Sequence, residues 1–302
     1  MSASVALPAL RLAVPPGLKP IAHSAMATEF VLHLGGHEPE YLQQAAAEAA
    51  REIDRLEDTL SFYREASDVT RLNRAPAGAE VAVSPDTMAC LTLAAEATQL
   101  TGGAFDAFTG RAAVEAKQQE IPPHLAQAPA PGESDVPGPV ISLQLEAGLV
   151  RKLRAGPWLD LGALGKGYAL DAVARLLAEW DVTAGFLSAG GSSLRGLGDT
   201  ECKLETSSPV PPILLPGGFC LGASGFGFQP GHIVDARPAG PATPAIRAVA
   251  LASSAALADA LSTAAILLQP EQILELIRQR PGTAFLHFQA GGRIRGYGAP
   301  FA

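Results

Sequence analysis

A chain of 302 residues is long enough to bury a large core, as one elaborate domain or two modest ones. Its formal net charge of -8 and its 17% charged residues argue against a nucleic-acid binder, which needs clustered Lys and Arg to meet phosphates, and no basic run is present. Much of the 48% hydrophobic content is alanine, and no stretch of about 18 apolar residues suggests a membrane span.

Residues 1–20 lack a charged leader, a clean apolar run and a lipobox cysteine, so they read as a poorly ordered extension rather than a secretory signal. Cys90, Cys202 and Cys220 are odd in number and show no metal spacing, which suits reduced thiols and favours a cytoplasmic location. Residues 21–302 read as a single domain of mixed α and β elements. Glu29 to Leu34 alternates like a short strand, and Leu42, Ala45, Ala49, Ile53, Leu56 and Leu60 recur at helical spacing. Ser84 and Pro85 form an N-cap and first-turn pair and Gly102 with Gly103 a stop, so Pro85 to Thr101 is expected to be helical. Residues 117–140, rich in Pro, Gln and Ala, show no periodicity and read as a long surface excursion or lid. Ile141 to Leu153 reads as a hairpin centred on Glu146 to Gly148. After Lys166 a helix is expected to bury Tyr168, Ala169, Val173, Leu176, Leu177 and Trp180, followed by a strand from Gly185 to Ser188. A helix from about Ser254, another opened by Pro270, and a hairpin across Gln289 to Gly292 complete an α+β pattern of mixed sheets with packed helices.

The richest chemistry lies between Trp158 and Gly191, WLDLGALGKGYALDAVARLLAEWDVTAGFLSAGG. Asp160 and Lys166 are six residues apart around Gly162, Gly165 and Gly167, so bare backbone can approach a ligand that one anion and one cation contact. This points to nucleotide or phosphate handling, although glycines between a strand and a helix also make ordinary tight connections. Neither GxGxxG opening a helix nor GxxxxGK[ST] is present, which leaves the two common phosphate loops unsupported. In the helix after Ser254, Asp259 and Thr263 lie four apart and therefore share a face. An oxygen pair of this kind suits Mg²⁺; the alternative is an Asp complementing the helix dipole and a Thr bonding its own helix.

The segment DLGALGKGYALD resembles the DLGGIAKGYAVD motif of the FAD:protein FMN transferases, the ApbE family. The likeness continues in order: MATEF from Met26, LSFYREASDVTRLNRAP from Leu60, TGGAFDAFTG from Thr101, HIVDARPAG from His232 and ALADALSTAAILL from Ala256. The resemblance implies an ApbE-like, T-fold-related architecture and a metal held by Asp259, Thr263 and the carbonyl of Ala163. It further implies that Met26, Tyr63, Ala104, Phe105, Asp106, Asp160, Lys166 and Ile233 contact FAD. The implied reaction is attack by a Thr or Ser hydroxyl of a partner flavoprotein on the FMN-side phosphorus of FAD, with Mg²⁺ bound, AMP leaving and His232 taking the proton. Two departures concern the acceptor side: Gly190, Gly191 and Ser192 stand where the family has GGD, and Ala223, Ser224 and Gly225 lead to His232 by a shorter path than its TSG region. They leave open a Mg-dependent hydrolase giving FMN and AMP, and a non-catalytic FAD-binding protein.

Overall fold

The computed structural model describes residues 10–129, 138–206, 212–225, 234–235, 237, 245–289 and 291–301. In chain order the strands are β1 (Leu10–Ala13), β2 (Lys19–Ala25) and β3 (Thr28–Gly35), then helices α1 (Pro39–Leu60) and α2 (Asp68–Arg74). Strand β4 (Glu80–Ala82) precedes α3 (Pro85–Leu100) and α4 (Gly110–Ala116). The hairpin β5 (Ile141–Gln144) and β6 (Leu149–Lys152) leads to α5 (Gly165–Glu179). Strands β7 (Ala184–Ala189), β8 (Ser193–Leu197), β9 (Cys202–Thr206), β10 (Ile213–Leu215), β11 (Cys220–Gly225) and β12 (Arg247–Leu251) follow. Helices α6 (Ala255–Ala265) and α7 (Pro270–Gln279) and strands β13 (Ala284–Phe288) and β14 (Ile294–Tyr297) end the chain.

Eight strands form the central antiparallel sheet, in the order β14-β13-β12-β11-β8-β7-β3-β2. Side chains alternate across a strand, and β12 shows what each face meets. Ala248 and Ala250 join the core built with α1, α3, α5 and α6, whereas Val249 and Leu251 join a second core with Leu204, Leu215 and Leu221. With both faces covered, every residue of β12 is buried, which is why RAVAL reads as a continuous run rather than an alternation. Helix α6 is buried on almost every side, so its sequence is apolar nearly all round and the few polar residues it carries are conspicuous.

The amino-terminal segment expected to be an extension pairs as a strand from Leu10 and contributes Leu12 and Leu18 to the second core. Leu10 to Ala13 pairs antiparallel with Thr206 to Lys203, and β10 pairs with the other edge of β9. Leu12 packs against that core. Four residues are too few to display a period, and their partner lies almost two hundred positions away, so the strand is invisible until the chain is folded. The Pro-rich excursion is tethered midway: Leu125 is buried, and His124 Nε2 lies 3.1 Å from the Phe62 carbonyl.

Between β2 and β3 the register pairs Ala25 with Thr28, leaving Met26 and Ala27 as a two-residue turn with φ of 50° and 55°. That is a type I′ hairpin, normally built from Asn and Gly because left-handed backbone costs other residues roughly 1–2 kcal/mol each. The strain falls on residues that border a polar cavity, described next.

Candidate functional site

The segment carrying Asp160 is fixed by hydrogen bonds to distant parts of the chain. Buried Asn73 donates from Nδ2 to the Leu159 carbonyl at 2.9 Å and accepts the Leu159 N–H at 2.7 Å. Asp160 N–H donates to the Ala107 carbonyl and Gly110 N–H to that of Trp158, which ties this stretch to the loop holding Ala104, Phe105 and Asp106. Asp160 Oδ1 then accepts the Gly162 N–H at 2.8 Å and turns the chain toward α5. The helix begins at Gly165, one residue before the lysine, so Lys166 occupies its first turn.

Helix α6 is aimed with equal care. Ser254 caps it by accepting the Leu257 N–H, and the buried carboxylate of Asp171 on α5 accepts the N–H groups of Ala255 and Ala256, both at 3.0 Å. Asp259 follows one turn later. Its Oδ2 accepts the Gly167 N–H at 2.9 Å and the Ser193 hydroxyl at 2.7 Å, while Oδ1 takes no hydrogen bond among the described residues. Burial pushes this carboxyl up to about 7, against the charge of Lys166 and the two donors, which favour the ionised form. Thr263, the next turn along, shares its Oγ1 with Ser224 at 3.0 Å and donates to the Asp259 carbonyl at 3.2 Å.

One consequence of this geometry concerns Ala163. Helix α5 begins at Gly165, so the Gly167 N–H is one of its unpaired first-turn donors, and Asp259 takes it rather than the carbonyl of Ala163. No backbone N–H among the described residues claims the Ala163 carbonyl. A carboxylate oxygen, a hydroxyl and an unclaimed carbonyl make an all-oxygen donor set, the kind that holds a hard divalent cation such as Mg²⁺. Among the described residues there is no cluster of three or more His, Cys, Asp or Glu side chains that could hold a metal.

These groups face a cavity of about 430 Å³. Met26, Ala104, Phe105, Asp106, Asp160 and Lys166 line it. So do Ala163, Asp259 and Thr263, with the turn at Gly190 and Ser192 closing one side. Tyr63, 61% exposed, borders an adjoining cavity of about 300 Å³ instead, and Met26, Ala27 and Lys166 form the shared wall. His232 and Ile233 lie outside the described residues; the next residue, Val234, reaches the main cavity. Asp235 receives Arg237 in a two-pronged pair, Nε to Oδ1 and Nη2 to Oδ2, both at 2.8 Å, with a further bond from Arg237 to the Leu267 carbonyl.

Sequence reasoning missed Ser193, Asn73 and Asp171, which orient the site from 66 to 86 positions away, and Lys117, which lines the cavity from the end of α4. Asn73 and Asp171 fall inside segments that carry the family resemblance, but only folding shows what they hold, and no local pattern announces Ser193. For Lys117 the signal was its place eight residues after Thr109 and four after Ala113, both cavity-lining, at helical spacing.

The sequence profile of the ApbE family matches residues 26–287. A FAD:protein FMN transferase of Vibrio cholerae is 25% identical over 264 residues, covering 77% of this chain and 78% of that protein. Among solved structures, the ApbE protein of Thermotoga maritima superposes with a TM-score of 0.73 at 23% identity, over 92% of this chain and 96% of that one. The flavin transferase ApbE of Vibrio cholerae gives a TM-score of 0.71 at 20% identity, over 95% and 100% of the two chains. At such identities the two superpositions speak for the α+β fold.

Proposed function

The chain belongs to the ApbE family, and on that premise we propose that it is an FAD:protein FMN transferase, moving FMN from FAD to a Thr or Ser hydroxyl of a separate flavoprotein and releasing AMP. The observation that carries this reading is the meeting, around one cavity, of Lys166, a buried Asp259 with one oxygen uncommitted, Thr263 and the unclaimed Ala163 carbonyl.

The bond to be broken joins two negatively charged phosphoryl groups, so the protein's task is to neutralise charge and align the attacking oxygen. Asp259, Thr263 and Ala163 would hold Mg²⁺, which supplies charge neutralisation at the diphosphate when bound. Ser193 and the Gly167 N–H keep Asp259 turned so that Oδ1 remains available for that role. Lys166 has no carboxylate within ion-pair distance among the described residues; its ammonium lies 3.4 Å from the Gly162 carbonyl and is free to meet a phosphoryl oxygen. Met26, Ala104, Phe105, Asp106 and Tyr63 would enclose the rest of the dinucleotide across the two adjoining cavities, and the family resemblance adds a contact from Ile233. The acceptor hydroxyl then forms its bond to the FMN-side phosphorus as the bridging P–O bond breaks, and its proton passes to His232.

The test is to incubate the purified protein with FAD, Mg²⁺ and a candidate acceptor, and to follow AMP and the acceptor's mass. An FMN-sized adduct on the acceptor with equimolar AMP is expected. Free FMN and AMP formed without acceptor would instead make the protein a pyrophosphatase, and stoichiometric FAD binding without AMP would make it a binding protein.

A further inference from the structure

Lys117 carries an inference about this chain that the family's motif residues do not include. It closes α4, a helix whose cavity-facing residues Thr109, Ala113 and Lys117 recur every four positions and so form one stripe. Ala113, in the middle of the stripe, leaves room for a ligand to lie along it. Helix α4 is held at its start by the Gly110 N–H bond to the Trp158 carbonyl, two residues from Asp160, so the stripe is fixed relative to the Lys166 loop.

The charges in the cavity are arranged unusually. Asp106, Asp160 and Asp259 all line it, yet each engages protein donors: Phe108 N–H for Asp106, Gly162 N–H for Asp160, and Gly167 N–H with Ser193 for Asp259. Neither Lys166 nor Lys117 makes an ion pair among the described residues, and Lys117 makes no side-chain hydrogen bond there. Two partly buried ammonium groups thus border a cavity none of whose carboxylates pairs with either of them among the described residues. A ligand with two adjacent anionic groups satisfies both.

Resting on the transferase reading above, we propose that Lys117 is a second diphosphate-binding cation, gripping the dinucleotide from the α4 side while Lys166 meets it from the α5 side. The contact belongs to the bound substrate as well as to the transition state, so it governs affinity more than turnover.

The experiment titrates riboflavin and FAD, in Mg²⁺, into the wild-type protein and into Lys117→Gln and Lys117→Arg, following flavin fluorescence, with melting temperatures as a check on folding. Lys117→Gln is expected to melt as the wild type does and to bind FAD about ten- to a hundredfold more weakly, as loss of a charged hydrogen bond implies, with riboflavin affinity unchanged. Lys117→Arg should recover most of the loss, and in turnover assays the Gln variant should show a raised KM with kcat nearly intact. A Gln variant that binds FAD as tightly as the wild type, or that loses FAD and riboflavin affinity equally, overturns the inference and leaves the transferase reading standing. A wild-type protein that binds no FAD overturns both.

Discussion

Asp259 is buried, raised in pKa by that burial, and still held in one orientation by two donors on the same oxygen. A side chain in this state gains little for folding by being charged, which separates its structural from its chemical role. Asp259→Asn keeps an oxygen that can accept from Gly167 and Ser193 and removes the cost of a buried charge. The apo variant is therefore expected to be at least as stable as the wild type at pH 8 in urea unfolding. Mg-dependent AMP release should fall by about a hundredfold or more, since a ligated cation supplies several kcal/mol of charge stabilisation. An Asn variant that turns over normally would remove the metal role. His287, a buried group with no part in the proposed chemistry, offers the opposite test. It is fully buried on β13 with its ring edge-on to Tyr297, and burial pushes its imidazole down to about 4. Between its ordinary value near 6.5 and 4 the unfolded chain binds a proton that the folded chain refuses, so stability is lost as pH falls through that window. His287→Phe should shrink the loss by about 2 kcal/mol between pH 7 and pH 4.5, measured by urea unfolding at both; equal losses in the two proteins would show that His287 is not the responsible group. Asp259 and Lys166 were legible as a motif, whereas Ser193 was not, because a lone Ser acquires meaning only from a carboxylate brought to it by folding; Asn73 lies in a matching segment, yet its hold on Leu159 emerges only in the fold.

Helices α5 and α6 cross so closely that their contact leaves no space for a side chain. A Cβ on Gly167 would lie 2.2 Å from the Ala255 carbonyl oxygen, and one on Gly222 of β11 would lie 2.4 Å from the Ala258 carbonyl carbon. Both clashes are with backbone, which cannot rotate away. In an open helix Gly to Ala would stabilise by up to about 1 kcal/mol; here Gly167→Ala is expected to cost about 3 kcal/mol or more, as the two helices are forced apart. The same separation would carry Asp259 away from Ala163, so Mg²⁺ affinity should fall along with the urea midpoint. Retention of both would mean that the close crossing does not hold the site together. At this scale the long helices were legible, since α1 and α7 bury one face and expose the other at a 3.6-residue period. Helix α3 was found from its cap and its stop, for its hydrophobic pattern points no particular way. Strands β9 and β10 escaped notice within a Pro-rich stretch, because each is three to five residues long and owes its existence to partners elsewhere.

The central sheet divides the molecule into two faces with different duties. On one, α1, α3, α5 and α6 form the larger core, and the cavity lies against it, bordered by the turn between β2 and β3, the turn between β7 and β8, and the end of β11. On the other, β1, β9 and β10 cover Phe186, Leu194 and Leu221. Only the first face carries residues assigned to chemistry, so the second should influence the site through stability alone. Removing residues 1–13 isolates the two roles, because it deletes β1, strips Leu12 from the second core and opens one edge of β9 without touching the helices. The truncated protein is expected to lose about 1–3 kcal/mol in urea unfolding, the value of one partly buried leucine and its neighbours' cover, with the KM for FAD unchanged. Full stability combined with a raised KM would mean that the amino-terminal strand acts on the cavity through the sheet, and the division of labour between the faces would have to be abandoned.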